Sequence, residues 1–501
     1  MLFRKIYFYA LSVLCCTIFI NCAGNQFIKP VPACMKSGRL YLKPKTVKIA
    51  DRKFNTDEGF LIVNEDPSDT LSRKNMLPVL RIRSVSMNPR EPIFWLNGGP
   101  GQSNMSYCKL RGLLENHDFV LLGYRGVDGS IVLNCKNVKK SMKGIGSNLL
   151  SDASINSISK DLESLSKELT NQEIDIDHYT MMDVVADIEA ARKAFRYEKI
   201  NLLSFSYGTR VALIYSYLYA SVLSRSVMVA VNPPGHFSWS PKKIDEQLVY
   251  YDQLFASDTN RYDGRPLSQS IRNALAKMPS RWTIFKLNPG KIKVITFAML
   301  FQKQNAALVF HCYRAAEKGD YSGLYVLQRF YDFMIPSMFV WGDLMAKAST
   351  EFDPDIDYIS IMRDSTTIMG SPLSLLICGS AAGHWPVYLL PPELNRIRQS
   401  DVQTLLISGS LDFSTPADYA TEELLPFLTN GKQIILREMG HVGDLLWLQR
   451  PAMDNLLTRY YDEGVVDESK FKYDPMNFKP KVNFPLWAKI LYLFVLIQSL
   501  F

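Results

Sequence analysis

The chain has 501 residues and a formal net charge of +8, with 47% hydrophobic and 21% charged residues. This composition is that of a globular protein, and it excludes a disordered chain, a collagen-like chain and a polytopic membrane protein. The small excess of basic residues, 57 Lys and Arg against 49 Asp and Glu, is spread along the chain, so we expect no nucleic-acid partner. At this length we expect one large domain with an insertion, or two domains.

The N-terminus has the pattern of an export leader. Arg4 and Lys5 precede an apolar run over residues 6–20, which is short for a membrane-spanning helix. Cys22 follows this run, as in bacterial lipoproteins, whose lipid is attached to such a thiol. We therefore predict that residues 1–22 are a leader and that the protein is exported to the cell envelope with lipid on Cys22. The alternative is simple cleavage near Ala23, which would give a secreted protein.

Export would permit disulfide bonds. Five of the eight Cys remain when the leader and Cys22 are set aside. Cys108 with Cys135 and Cys312 with Cys378 are two possible pairs, but spacing alone does not determine connectivity. The sequence has no Cys-x-x-Cys pair and no Cys/His cluster, so we expect no metal site.

Short apolar runs bounded by Gly, Pro or Asn predict buried strands. A helix is predicted to begin after Thr180, with Asp183 in the position of a capping box, and a second helix is predicted over residues 211–219. Strands that alternate with helices indicate a mostly parallel sheet covered on both faces. The predicted strands are residues 92–96, 119–122, 200–203, 227–231, 404–407 and 433–436.

Two segments depart from this alternation. Residues 236–400 are rich in Pro, Met and aromatic residues and lack clear strands, so they are predicted to be a largely helical cap over the strand ends. Near the C-terminus, only the twelve residues after Lys489 are nearly free of polar groups, which is short for a membrane span. We expect this segment to pack as a last helix or to lie at a membrane surface, and a transmembrane anchor is the alternative.

Ser206 is the candidate nucleophile. It lies in Ser204-Phe-Ser-Tyr-Gly208, between a predicted strand and a predicted helix. This is the place of a G-x-S-x-G nucleophile elbow, in which small flanking residues let a strained turn expose the serine hydroxyl. Ser204 occupies the position of the first Gly.

Asp412 and His441 are the candidate partners of Ser206. Each follows a predicted strand, and the carboxyl ends of parallel strands gather at one edge of a sheet. His441 would accept the proton of Ser206, and Asp412 would orient and stabilise the imidazolium. The chain order Ser, Asp, His is also that of a known type of catalytic triad.

The loop Asn97-Gly-Gly-Pro-Gly101 is the candidate oxyanion loop. Its glycines allow backbone N–H groups to face a developing oxyanion without obstruction by side chains. The N–H of Gly99 would be one donor, and the N–H of Tyr207, directly after the nucleophile, would be the other.

Five motifs follow one another along the chain: Trp95-Leu-Asn-Gly-Gly-Pro-Gly101, Tyr124-Arg-Gly126, Ser206-Tyr-Gly-Thr-Arg210, Gly409-Ser-Leu-Asp-Phe-Ser-Thr-Pro416 and Gly440-His441. Together they resemble the motifs of the α/β-hydrolase peptidases that include prolyl aminopeptidases and bacterial tripeptidyl aminopeptidases. The resemblance covers about residues 45–235 and 400–450 and implies an α/β-hydrolase fold, with a mostly parallel central sheet and an inserted helical cap, and no cofactor. With the change of composition at 236–400, we expect a core at 23–235 and 401–465, the cap at 236–400 and a tail at 466–501.

The resemblance implies a serine aminopeptidase that acts on short peptides through an acyl-enzyme, and the predicted leader implies that it is exported. Membrane association would come from the Cys22 lipid or from the C-terminal apolar tail. Three alternatives remain: an esterase of the same fold, a serine carboxypeptidase, whose oxyanion loop is similar, and a catalytically inactive surface-binding protein. Recognition of a free amine needs carboxylates, and the candidates in the cap are Asp343, Glu351, Asp353 and Asp355.

Overall fold

The computed structural model of the protein describes residues 28–498 except residues 50, 107–109, 145, 147, 259–260 and 262. The predicted leader, with the lipidation site Cys22, lies outside the described residues. Its export and its lipid therefore stay predictions.

Eleven strands occur in the described part of the chain. They are β1 (Leu40–Ile49), β2 (Arg52–Asn64), β3 (Lys74–Ile82), β4 (Arg90–Leu96), β5 (His117–Leu122), β6 (Ile200–Phe205), β7 (Leu223–Val229), β8 (Arg281–Trp282), β9 (Phe285–Lys286), β10 (Gln403–Gly409) and β11 (Gly431–Leu436). Nine of them form one sheet in the order β1-β2-β3-β5-β4-β6-β7-β10-β11, and β8 pairs with β9 separately.

The sheet is mostly parallel, as predicted. From β5 through β4, β6, β7 and β10 to β11 all neighbours run parallel, whereas β1, β2, β3 and β5 pair antiparallel. The six predicted strands correspond to β4, β5, β6, β7, β10 and β11. The strand predicted at 227–231 ends earlier, at Val229, because Ala230 has a φ of +55° and leaves the extended conformation.

Strands β1 to β3 were not predicted from the sequence. In β1 the four consecutive residues 43–46 are all exposed. Such a strand lacks the apolar alternation by which a half-buried strand is recognised. Its lysines suit the edge position, because charged side chains discourage pairing with another chain.

Fifteen α-helices occur among the described residues. They are α1 (Lys136–Lys143), α2 (Asp152–Asn171), α3 (Met181–Phe195), α4 (Tyr207–Leu218), α5 (Pro241–Ala256), α6 (Leu267–Ala276), α7 (Pro289–Met299), α8 (Lys303–Glu317), α9 (Ser322–Met338), α10 (Trp341–Ala348), α11 (Tyr358–Arg363), α12 (Pro372–Ala381), α13 (Val442–Trp447), α14 (Arg450–Glu463) and α15 (Phe484–Gln498). The predicted capping box begins α3, where the backbone N–H of Thr180 donates to Asp183 Oδ2 at 3.0 Å.

Both faces of the sheet are buried, and the alternation along β4 shows how. Phe94 and Leu96 join the apolar cluster that contains residues of α3 and α4. Ile93 and Trp95 point the other way, into the cluster with residues of α13 and α14. Successive side chains of a strand point to opposite faces, so β4 separates two hydrophobic layers.

The cap contains eight helices, α5 to α12, between β7 and β10, together with the small β8–β9 hairpin. Helices α1 and α2 share the cap's apolar cluster through Val138, Ile158 and Leu162. We call helices α1, α2 and α5 to α12 the helical layer. This layer is larger than the predicted insertion at 236–400, because α1 and α2 belong to a segment that was assigned to the core from the sequence.

The C-terminal helix α15 packs against the cap. The rings of Phe484 and Phe330 are 5.9 Å apart, and Lys489 forms an ion pair with Asp320 at 2.6 Å. This is the predicted packing of the tail as a last helix. No helix among the described residues combines the length and the apolarity that a membrane span requires.

The possible pair of Cys312 with Cys378 is not formed, since both are free buried thiols. They lie in separate helices, α8 and α12, and Cys312 packs closely against α9, where a Cβ at Gly323 would lie 2.7 Å from its Sγ. Cys135 is also a free thiol, and Cys108, the other member of the possible pair, lies outside the described residues.

Candidate active site

Ser206 occupies a strained turn between β6 and α4. Its φ of +49° and ψ of −122° lie outside the regions that non-Gly residues ordinarily adopt. The turn is held because the Ser206 N–H donates to Val229 O of β7 at 3.0 Å. This is the geometry of a nucleophile elbow, which exposes a serine hydroxyl at the sheet edge.

The two small residues that flank Ser206 have different roles. A Cβ at Gly208 would lie 2.3 Å from Leu96 O, so only Gly fits there. Ser204, in place of the usual first Gly, is fully buried, and its hydroxyl donates to Val227 O at 3.0 Å. The elbow therefore accommodates Ser at its first small position and requires Gly at its second.

This difference predicts opposite outcomes for two substitutions. Gly208→Ala is expected to destabilise the protein by about 1–3 kcal/mol, because the new methyl group must displace backbone in a packed core. Ser204→Gly removes one hydroxyl and its bond, and it is expected to cost about 1 kcal/mol or less. Urea unfolding of both variants tests this, and equal losses of stability would contradict the assignment.

Ser206, His441 and Asp412 form a continuous hydrogen-bonded chain. Ser206 Oγ lies 3.0 Å from His441 Nε2, and His441 Nδ1 lies 2.8 Å from Asp412 Oδ2. The Asp412 side chain is fully buried, whereas the His441 side chain is 13% exposed. The structure thus brings together the three residues predicted from the sequence, with the nucleophile and base accessible and the acid enclosed.

Two residues after Asp412 fix its carboxylate. Oδ1 accepts the N–H groups of Ser414 at 2.8 Å and Thr415 at 2.9 Å, and Oδ2 accepts the Thr415 hydroxyl at 2.8 Å. Hydrogen bonds to the charged form stabilise a buried carboxylate. Ser414 and Thr415 were not assigned a role from the sequence, although both lie within the motif that contains Asp412.

The imidazole of His441 is positioned from the cap. The His441 N–H donates to Phe301 O at 2.6 Å, and the Phe301 ring packs edge-on at 5.4 Å from the imidazole. Trp239 packs against Phe301, and its Nε1–H donates to Ser414 O at 3.0 Å. An aromatic wall of the cap therefore adjoins the base, and no short motif in the sequence indicates it.

The Asn97–Gly101 loop passes beside the nucleophile. A Cβ at Gly98 would lie 3.2 Å from the Cβ of Ser206, and Gly99 has a φ of +132°, which favours glycine. Tyr207 is the first residue of α4, where helix N–H groups have no partner within the helix. Gly99 and Tyr207 therefore remain the proposed oxyanion donors.

A buried ion pair in α10 anchors this loop. The Gly101 N–H donates to Asp343 Oδ2 at 3.0 Å, and Gly101 O accepts the N–H of Val340 at 2.8 Å. Asp343 is paired with Lys347, which also donates to Arg125 O at 3.1 Å, and both charged side chains are fully buried. Burial raises the pKa of Asp343 and lowers that of Lys347. We call Asp343 and Lys347 the α10 ion pair.

The four carboxylates considered for amine binding are not equivalent. Asp343 belongs to the α10 ion pair, and Glu351 is paired with Arg210 at 2.8 Å and accepts the Gly235 N–H at 3.2 Å. Asp353 and Asp355 are exposed to solvent. Asp343 and Glu351 already have cationic partners, so neither stands free to bind a substrate ammonium.

The Tyr124-Arg-Gly126 motif is structural. Arg125 is fully buried and forms a two-point ion pair with Asp187, with distances of 2.7 and 2.6 Å. A Cβ at Gly126 would lie 2.2 Å from an Asp343 oxygen, so this glycine makes room for the α10 ion pair. The motif therefore acts on the oxyanion loop indirectly, because Gly126 leaves room for Asp343, which accepts the Gly101 N–H.

Asp444 supports the loop that carries His441. It is 2% exposed, and its Oδ2 accepts the N–H groups of Gly440 and Lys303, each at 2.8 Å. Burial raises the pKa of Asp444 to about 6, above its usual value of 3.8.

This raised pKa predicts a pH-dependent stability. The folded state holds the Asp444 proton more tightly than the unfolded state, so its contribution to the free energy of unfolding falls as the pH rises from 3.8 to 6. Asp444→Asn cannot titrate, and it is expected to gain about 3 kcal/mol relative to the parent over this range. Urea unfolding of both proteins between pH 4 and 7 tests this, and parallel curves would contradict it.

No group of three or more His, Cys, Asp and Glu side chains in the described ranges could hold a metal ion.

The fold and the site together define a hydrolase of the α/β class, in which a serine at a strand–helix turn meets a histidine and an acid from later strand ends. The family model for the alpha/beta hydrolase fold matches residues 91–347. The chain belongs to this family. A search of curated proteins found no significant match.

Several solved structures are similar at low identity. A serine hydrolase of Cycloclasticus zankles is 11% identical, covers 85% of this chain and 100% of its own, and has a TM-score of 0.34. A meta-cleavage product hydrolase of Pseudomonas fluorescens is 11% identical, with 78% of this chain and 96% of the hydrolase covered and a TM-score of 0.37. The proline iminopeptidase of Mycobacterium smegmatis is 13% identical, with 84% of this chain and 98% of the iminopeptidase covered and a TM-score of 0.35. Such distant likenesses say nothing of the substrate of this chain.

Proposed function

We propose that this protein is a serine hydrolase that cleaves acyl bonds through an acyl-Ser206 intermediate. The observation that carries the proposal is the chain from Ser206 Oγ through His441 to buried Asp412, with distances of 3.0 and 2.8 Å. A nucleophile within hydrogen-bond reach of a base, which a third group orients, is the arrangement that nucleophilic catalysis requires.

The proposed reaction has two halves. Ser206 Oγ attacks the substrate carbonyl while His441 Nε2 takes its proton, and the N–H groups of Gly99 and Tyr207 bind the oxyanion. The imidazolium, stabilised by Asp412, then protonates the leaving group as the acyl–enzyme forms. Water, deprotonated by His441, attacks the acyl carbonyl, and the proton returns to Ser206 Oγ as the acid product leaves.

Labelling with a fluorophosphonate probe tests this proposal, because the probe reacts only with an activated serine. The parent is expected to be labelled, and Ser206→Ala and His441→Ala are expected not to be. Ser360→Ala, which changes an exposed serine of α11, serves as the matched control and should label like the parent. Labelling that persists in Ser206→Ala would refute the proposal.

Within this class we propose an aminopeptidase that acts on short peptides. The support is the set of sequence motifs together with the helical layer, which lies over the strand ends and would limit the size of the substrate. Matched peptides with free and acetylated N-termini test this. A desolvated charge-assisted contact to the amine is worth about 1.5–3 kcal/mol, so kcat/KM should fall about 10- to 150-fold on acetylation.

The same comparison tests the alternatives. Equal kcat/KM for the two peptides would favour an esterase or an endopeptidase, and preference for a free C-terminus would favour a carboxypeptidase. The ion-paired state of Asp343 and Glu351, with the aromatic wall beside His441, is the observation that favours an esterase of apolar acyl groups. Hydrolysis of p-nitrophenyl esters of increasing chain length measures that activity.

A further inference from the structure

The C-terminal helix α15 has two different faces. Pro485 and Ala488 are buried against the cap, where Pro485 O accepts the hydroxyl of Ser322 in α9 at 3.2 Å. Leu486 and Leu493 point away from the cap and are 53% and 57% exposed, with exposed Lys489 between them. Residues spaced by three and four share one helix face, so these three side chains form a continuous outer stripe.

Two further exposed apolar side chains lie on the elements that pack against α15. The β8–β9 hairpin contacts α15 through Trp282 and Phe285, whose rings lie 5.5 and 5.7 Å from Tyr492. Ile284, at the tip of that hairpin, is 56% exposed, and Phe333, one turn after the contact of α9 with α15, is 61% exposed. We call Ile284, Phe333, Leu486 and Leu493 the C-terminal apolar surface.

The charges around this surface are mainly positive. Five basic side chains are exposed there: Arg281 and Lys286 of the hairpin, Lys479 and Lys481 just before α15, and Lys489 of α15. The adjacent acids are paired with cations: Asp320 with Lys489 at 2.6 Å, and Asp332 with Lys291 at 2.7 Å and with Arg329 at 2.8 Å. Because Asp320 neutralises Lys489, the excess positive charge comes from Arg281, Lys286, Lys479 and Lys481. This excess charge would repel a second copy of the surface and would attract an anionic surface.

We propose that the C-terminal apolar surface binds the interface of an anionic lipid bilayer. Leu486, Leu493, Ile284 and Phe333 would enter the boundary between head groups and acyl chains, and the cations would contact acidic head groups. In this arrangement α15 lies parallel to the membrane plane and the cap faces the bilayer. The proposal goes beyond the hydrolase function and does not depend on it.

Flotation of the chain from residue 23 onward with lipid vesicles tests this proposal. Every form starts after the predicted leader, so that neither its apolar run nor a lipid on Cys22 contributes to binding. The parent is expected to bind vesicles of phosphatidylcholine with phosphatidylglycerol, and to bind phosphatidylcholine alone at least about tenfold more weakly, because each basic residue near an anionic surface strengthens binding about fivefold. The double variant Leu486→Glu/Leu493→Glu is expected to lose binding to anionic vesicles by at least about tenfold.

Two further variants test whether vesicle binding depends on this surface or on exposed apolar side chains anywhere in the protein. Ile284→Ser/Phe333→Ser changes the same surface on different elements, and it should weaken binding in the same direction while leaving α15 intact. Leu71→Glu/Met87→Glu makes the matched charge change at side chains that are 91% and 94% exposed in loops of the core sheet, and it should bind like the parent.

Equal flotation of all forms would overturn the proposal, since binding would then come from elsewhere in the chain. Binding that is indifferent to phosphatidylglycerol would overturn it as well. A soluble oligomer that Leu486→Glu/Leu493→Glu dissociates would instead assign the surface to contact between copies of this chain. Hydrolase activity on a soluble ester is expected to be the same in every form, so failure of this proposal is distinguishable from failure of the proposed function.

Discussion

Ser206→Ala is expected to lower kcat by about 10⁶-fold, and His441→Ala by a similar factor, because loss of either nucleophile or base removes the covalent route. Asp412→Asn is expected to lower kcat by about 10⁴-fold, since an amide in place of Asp412 Oδ2 no longer holds the proton on His441 Nδ1. The parent distance between those two atoms is 2.8 Å. Steady-state hydrolysis of the best ester or peptide substrate measures all three variants.

These losses should leave the fold intact. Ser206 and His441 are partly exposed, so urea unfolding of their Ala variants should resemble that of the parent. The exposed-serine variant Ser360→Ala is expected to keep full activity. Retention of most activity by Ser206→Ala would mean that another group carries the chemistry, and the assignment of the site would then be wrong.

Lys347→Met is expected to destabilise the protein by about 3–5 kcal/mol, because it leaves Asp343 as an unpaired charge in the interior. In the parent both side chains of this α10 ion pair have 0% exposure. Replacing both charges, as Asp343→Leu/Lys347→Met, is expected to recover much of that loss, since a buried ion pair and a packed apolar pair are often of similar stability. Urea unfolding measures each free energy.

Activity should not recover in the same way. Asp343 Oδ2 is the acceptor that holds the Gly101 N–H at 3.0 Å, and the double variant lacks it. We therefore expect the double variant to keep a lowered kcat, because misplaced oxyanion donors weaken binding of the transition state more than binding of the substrate. A double variant with parental kcat would show that the α10 ion pair serves stability alone.

An exposed pair of the same spacing provides the matched control. Glu163 and Lys167 in α2 are four residues apart, like Asp343 and Lys347, and their nearest charged atoms are 2.6 Å apart. Both side chains are largely in solvent, so Lys167→Met is expected to change stability little. A comparable loss in both Lys→Met variants would show that burial of the α10 ion pair is not the cause.

The centre of the molecule could be predicted because its signals are local. Strands β4 to β7, β10 and β11 are short apolar runs that glycine or a polar turn ends, and the candidate site follows four of these strands. Parallel packing brings the ends of such strands to one edge, so Ser206, Asp412 and His441 could be grouped without any knowledge of their contacts.

The remaining structure depends on contacts between distant segments. The partner of Arg210 is Glu351, 141 residues later, and the backbone of His441 is held by Phe301, which belongs to the cap. Strand β1 owes its conformation to pairing with β2, because half of its side chains are exposed and only one is buried. Interactions of this kind leave no periodic signal in the sequence.

The position of α15 at the end of the described chain also constrains the order in which the helices fold during synthesis. During synthesis the helix α9 emerges long before α15, and the contact between Ser322 and Pro485 spans 163 residues. Until the last helix arrives, the face of α9 that contains Phe330 has no cover from α15. Such transiently exposed apolar surface is what folding chaperones bind, so the helical layer completes its packing only after translation has passed Phe484.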